Sequence, residues 1–122
     1  MQWRGATVSQ KTWQMNRGEI WWVEFDPAVG SEIRKTRPAV IVSNDSANRN
    51  LARVVVVPLT SNTGRQYPGE ALVKMDGKQS KAMADQIMAA DKSRLKNQLG
   101  TLSKVDMLAV EEAIRVHFGM PR

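Results

Sequence analysis

Hydrophobic and polar positions alternate with a period of two along most of this chain, and a helical period emerges only near its end. Glu19-Ile20-Trp21-Trp22-Val23-Glu24-Phe25 is rich in β-branched and aromatic residues, which predicts a strand with Trp21, Val23 and Phe25 on one face. Asp26-Pro27 ends it, and a polar, glycine-containing loop runs from Ala28 to Arg37. Pro38 then starts a second strand, Ala39-Val40-Ile41-Val42, and Asn44 to Asn50 reads as a turn cluster of Asn, Asp and Ser. Arg53-Val54-Val55-Val56-Val57-Pro58-Leu59 is the most apolar strand, with Pro58 near its end, where a missing N–H matters least. Ser61 to Gly69 is a second polar loop. Glu70 to Met75 alternates again and stops at Asp76-Gly77, a strong hairpin signal. Lys81 to Met88 predicts a strand with Met83, Asp85 and Ile87 on one face, and Gln98 to Leu102 a last short one.

A helix follows. Ser103 is its expected N-cap, with Asp106 at the third helical position and Leu102 and Met107 at hydrophobic-staple spacing. Val105, Leu108, Ala109, Ala113 and Val116 form an apolar stripe, and Gly119 and Pro121 stop the helix. Several short strands and one terminal helix predict a mainly β (α+β) domain: a small, strongly curved sheet or barrel capped by a helix. Residues 1–16 sustain neither period, so they are expected to be a flexible N-terminal extension to a single domain over residues 17–122.

Composition narrows the chemistry. Cysteine is absent, which excludes disulfides, thiolate zinc sites and cysteine nucleophiles. His117 is the only histidine, so one chain cannot hold a pair of histidines as acid and base. Neither metal-ligand spacing nor a nucleotide-binding fingerprint occurs, so no metal and no cofactor are expected. No apolar run approaches the roughly 20 residues of a membrane-spanning helix, and none of signal-peptide length opens the chain; a cytoplasmic location is expected. Eighteen Lys and Arg against twelve Asp and Glu give a net charge of +6, a balance suited to holding a polyanion.

Three clusters supply candidate chemistry. Gly30-Ser31-Glu32-Ile33-Arg34-Lys35-Thr36-Arg37 sets three cations in four positions, able to clamp phosphate, with Arg37 held most firmly beside the strand. Thr60 closes the valine-rich strand with a hydroxyl that can donate to a phosphate oxygen, and Ser61, Asn62 and Arg65 follow it. Asp85-Gln86 places a carboxylate and an amide in an otherwise apolar segment, where a carboxylate near cations can accept a proton. Taken singly, the clusters fit equally a solvated basic loop, a strand-ending threonine and a solvent-facing polar pair.

Their order along the chain resembles the MazF/PemK/Kid family of toxin endoribonucleases. The resemblance runs from Arg17-Gly18-Glu19-Ile20-Trp21 through Asp26-Pro27, Gly30-Ser31-Glu32, Arg37-Pro38-Ala39-Val40 and Val56-Val57-Pro58-Leu59-Thr60-Ser61. It continues to Asp85-Gln86-Ile87 and Asp91-Lys92-Ser93-Arg94-Leu95. It implies an SH3-like small β-barrel of PemK/CcdB type with a C-terminal α-helix. It also implies metal-independent cleavage of single-stranded RNA, a homodimer, and neutralisation by a cognate acidic antitoxin. In that family the ribose 2′-hydroxyl attacks the adjacent phosphorus, leaving a 2′,3′-cyclic phosphate and a 5′-hydroxyl. Position by position, Arg37, Thr60, Asp85 and Glu32 match the family's catalytic residues. Ser31, Arg34, Lys35, Ser61, Asn62, Arg65 and Gln86 fall where RNA would be held. Departures are Ser31 where some members have His, Lys35 where Gly is usual, and Met83 where the Kid branch carries an Arg. Two other classes remain open at this point: a protein-binding toxin resembling the gyrase poison CcdB, and a non-catalytic RNA-binding module.

Overall fold

The valine-rich strand β3 (Arg53–Thr60) organises the sheet, because it pairs antiparallel with three different strands. The computed structural model describes residues 14–25 and 35–122. β3 meets β6 (Met88–Asp91) over Arg53 to Val56, β2 (Lys35–Ile41) over Val56 to Pro58, and β5 (Lys78–Met83) at Leu59 and Thr60. β1 (Glu19–Phe25) joins β2 to β7 (Leu95–Thr101), and β4 (Glu70–Met75) flanks β5. The strand path is β4-β5-β3-β2-β1-β7, with β6 also on β3.

The mainly antiparallel β architecture with a C-terminal helix is present, but the barrel is not closed: among the described residues β4 and β7 do not pair. The free edge of β4 is covered instead by α2 (Lys104–His117), whose Asp106 carboxylate accepts from the Lys74 N–H at 2.8 Å. An edge occupied this way offers no template to another strand.

Two buried clusters lie on the two sides of the sheet. One holds Ile20, Val40, Val57, Leu59, Val73 and the helix residues Met107, Val110 and Ala113. The other holds Val23, Phe25, Ile41, Val54, Val56 and Leu95. β1 serves both by simple alternation, Ile20 facing the first cluster and Trp21, Val23 and Phe25 the second, while its pairing with β7 shifts register between Ile20 and Trp21 and again between Trp22 and Val23. Met15 is buried in the second cluster, so the residues just before β1 already pack on the sheet. Arg17 ties this corner together: its N–H donates to Asp45 at 2.7 Å and its guanidinium pairs with Glu111 at 2.8 Å.

Several expectations need correction. β2 begins at Lys35 rather than after Pro38, since its outer side pairs with β1, where proline is tolerated. The segment read as a turn cluster contains α1 (Asp45–Asn50), capped by Asn44, whose side chain accepts from the Ala47 N–H. The expected strand from Lys81 to Met88 is two strands, β5 and β6, separated by a 3₁₀ turn at Ala84–Gln86. β7 starts earlier than Gln98, after a second 3₁₀ turn at Lys92–Arg94. The helix has its expected cap, with Ser103 Oγ accepting from Asp106 N–H at 3.1 Å. It buries a different stripe, however: Met107, Val110 and Ala113 face the sheet, while Val105 and Leu108 are 75% and 62% exposed.

Candidate active site

The site lies where β2 and β3 part. Their ladder covers only Ala39 to Ile41 against Pro58 to Val56. One rung further would set Pro38 against Leu59, and the next Arg37 against Thr60. Val42 donates to the Val55 carbonyl at 2.9 Å, so by alternation the next N–H due to point at β3 beyond this ladder is that of residue 38, and Pro38 has none to donate. Beyond Pro58, β3 pairs with β5 instead. The fork leaves a cleft of about 300 Å³ walled by Arg37, Pro38, Leu59, Thr60, Ser61, Met75 and Ser80.

Arg37 is half-buried in this cleft, and its Nε is fully enclosed without a hydrogen-bond partner among the described residues. An enclosed donor left unpaired costs on the order of 1–3 kcal/mol, and more when charged. An anion in the cleft would remove that cost, and a planar guanidinium matches two phosphate oxygens at once. Thr60 Oγ1 accepts from the Asn62 N–H at 3.2 Å, which occupies a lone pair and leaves the hydroxyl proton to point at a ligand. The structure therefore brings Arg37, Thr60 and Ser61 to one cleft, as cation and hydroxyls.

Other candidates are placed differently. Asp85 and Gln86 sit on the 3₁₀ turn after β5; Asp85 is exposed, Gln86 is half-buried, and neither walls the cleft. Asn62 and Arg65 lie exposed on the loop that leaves Thr60. Ser31, Glu32 and Arg34 fall outside the described residues, as does the side chain of Lys35, whose backbone opens β2. Ser80, only 4% exposed, is a cleft residue that sequence reasoning missed. Its signal is available: once β5 starts directly after the Asp76-Gly77 turn, a lone small hydroxyl appears among its inward positions.

The groups with displaced titration lie elsewhere. The Asp91 carboxyl is held below the usual carboxylate range, chiefly by the Ser93 backbone N–H that donates to it at 2.9 Å. Burial pushes the Lys92 ammonium down; its Nζ donates to the Asn48 carbonyl. Among the described residues no group of three His, Cys, Asp or Glu is placed to hold a metal ion. Among them, too, no helix is long and apolar enough to cross a membrane.

The fold is thus an open SH3-like sheet with a C-terminal helix, and a guanidinium and hydroxyls gather at a strand fork as donors that suit an anion. Residues 16–118 match the model of the PemK-like, MazF-like toxins of type II toxin–antitoxin systems, and the chain belongs to that family. It is 41% identical over 115 residues to endoribonuclease MazF9 of Mycobacterium tuberculosis, spanning 87% of this chain and 98% of that one. It is 31% identical over 112 residues to endoribonuclease MazF of Staphylococcus epidermidis, spanning 87% and 92%. Among solved structures, MazF of Deinococcus radiodurans superposes with a TM-score of 0.75 at 26% identity, covering 86% of this chain and 96% of that one. A mycobacterial endoribonuclease in complex with its cognate antitoxin superposes with a TM-score of 0.73 at 29% identity, covering 88% and 97%.

Proposed function

We propose that this protein is an endoribonuclease toxin that cuts single-stranded messenger RNA without a metal ion. In this reading it works as a cytoplasmic homodimer and is neutralised by an acidic antitoxin. The observation that carries the proposal is the enclosed Nε of Arg37, unpartnered among the described residues, in one cleft with Thr60. The endoribonuclease relatives favour it over a gyrase poison or a non-catalytic RNA-binding module.

The RNA supplies its own nucleophile. The 2′-hydroxyl oxygen bonds to phosphorus, the P–O5′ bond breaks, and a 2′,3′-cyclic phosphate and a 5′-hydroxyl result. A chain without cysteine and with one histidine can support this reaction, because no covalent intermediate forms on the protein. What the protein must add is charge stabilisation and proton transfer. Arg37 meets the non-bridging oxygens of the phosphorane through its fork, and Thr60 donates a hydrogen bond to the same group. Asp85 is assigned the 2′-hydroxyl proton, which requires the RNA to reach from the cleft to the 3₁₀ turn that carries it; the 5′-oxygen takes a proton from solvent as it leaves, and Glu32, in the cationic loop, is the second carboxylate assigned to the chemistry. Met83, buried at the end of β5, carries no charge, so Arg37 supplies the cation in the cleft. Ser31, Arg34, Lys35, Ser61, Asn62, Arg65 and Gln86 hold the flanking phosphates and bases.

The test is cleavage of RNA in excess EDTA with analysis of the product ends. Undiminished cleavage leaving a 2′,3′-cyclic phosphate is expected. Activity abolished by chelation and restored by Mg²⁺ would replace this reading with metal-assisted hydrolysis.

A further inference from the structure

Lys81 plays no part in the chemistry proposed above, yet it is a buried lysine paired directly across the β3–β5 ladder with Thr60. It does not wall the cleft. Its Nζ turns to the loop over residues 61–69, donating to the Arg65 carbonyl at 2.7 Å and lying 3.4 Å from Glu70 Oε1. The two side chains are only 10% and 11% exposed. The same Glu70 oxygen accepts from the Tyr67 N–H at 2.7 Å, and the Glu70 carbonyl accepts from Gln66 Nε2 at 3.1 Å. Nearer Thr60, the Asn62 side chain accepts from the Gly64 N–H at 3.3 Å. The loop is therefore tied by its own turn at one end and by the Lys81–Glu70 pair at the other.

The anchor displays a particular surface. Arg65 Nη1 donates to the Tyr67 hydroxyl at 3.1 Å, and its guanidinium carbon lies 5.8 Å from the Tyr67 ring centroid. Tyr67 is 53% exposed. A fixed aromatic ring carrying a cation suits an unpaired nucleobase, which stacks on it without demanding a particular sequence. A nearly buried ion pair adds little net stability once desolvation is counted, so its value here lies in holding a position. We propose that Lys81 and Glu70 are positioning residues for RNA: they hold Arg65 and Tyr67 as a stacking surface for a base flanking the phosphate in the cleft. This rests on the ribonuclease reading above.

The test uses the full chain carrying Lys81→Met with Glu70→Gln. Glutamine still accepts from the Tyr67 N–H, net charge is unchanged, and only the hold on the Arg65 carbonyl is lost. With a defined single-stranded RNA, KM should rise about tenfold, the size of one weakened base stack, while kcat at saturation stays within about twofold. Tyr67→Ala should give a similar rise, and Tyr67→Phe, which keeps the ring, should stay near wild type. All three changes to the anchor and ring combined (Lys81→Met, Glu70→Gln, Tyr67→Ala) should be no worse than Tyr67→Ala alone, since they act by one route. Amide exchange at Arg65 to Tyr67 should be faster in the Lys81→Met/Glu70→Gln protein without RNA. Folded variants with wild-type KM, or effects that simply add, would overturn the proposal while the ribonuclease reading stood. A wild-type protein that cut no RNA would overturn both.

Discussion

Two halves of the same pair of strands behave in opposite ways. From Ala39 to Ile41, β2 is laddered to β3 and every side chain is buried, as are those of Val56 and Val57 opposite. From Arg37 to Pro38 the ladder is gone, and the facing residues Leu59 and Thr60 line a cleft with Arg37 and Ser80. One half satisfies its backbone and stabilises the fold. The other leaves the Arg37 Nε–H without a partner among the described residues and opens into a cleft. The switch comes at Pro38, where β2 has no N–H with which to continue the ladder.

Substitutions in the two halves should therefore separate stability from activity. In the open half, Arg37→Ala should lower single-turnover cleavage by on the order of 10² or more while weakening RNA binding far less. Its unfolding midpoint should hold or rise, because an unpaired enclosed donor is removed. Arg37→Lys should restore little, since a point charge cannot make the two-pronged contact. Wild-type cleavage by Arg37→Ala would end the distinction. In the closed half, Val57→Ala should cost about 2 kcal/mol in urea unfolding through the cavity it leaves. Cleavage per folded molecule should change less than about twofold, because Val57 touches the core and not the cleft.

The smallest expected effect lies on β6, which pairs with the closed half of β3 through Asp91 opposite Arg53. The Asp91 carboxyl titrates below its ordinary range in the folded state, so its contribution is present above that range and is lost as pH falls through the folded value. Asp91→Asn keeps an acceptor for the Ser93 N–H and removes only the charge. It should be slightly less stable than wild type at neutral pH, and the two curves should merge once pH has fallen through the folded-state titration of Asp91, measured by urea unfolding across the acid limb. A gap that persisted in acid would assign the effect to the cap and not to its charge.

Local chemistry that decides a structure by itself was legible in the chain. The alternation in β1, the apolar run of β3, the Asp76-Gly77 hairpin with both residues at positive φ, and the Ser103 cap all stand where the pattern put them. Choices made by tertiary packing were not. The helix has two apolar arcs that share Ala113, and only docking against Leu102, Val73 and Gly18 selects the one through Met107 and Val110. The span after Met83 keeps a strand-like pattern through Ala84 and Asp85, but the Ala84 carbonyl accepts from the Ile87 N–H at 3.2 Å and the chain turns there. On that turn Asp85 does not wall the cleft with Arg37 and Thr60, with which the sequence could group it only by resemblance. The fork could be inferred from a proline and a threonine, but its depth depends on Ser80 and Met75, which arrive from another hairpin.

The most direct test of the fork as the phosphate site is the Arg37 Nε–H resonance, followed by nitrogen-15 NMR as an uncleavable 2′-O-methyl RNA is added. Contact with a phosphate oxygen predicts a downfield shift, slowed exchange with solvent, and coupling to a single phosphorus. A resonance that stays at its free position while the RNA is fully bound would place the phosphate elsewhere and contradict the account.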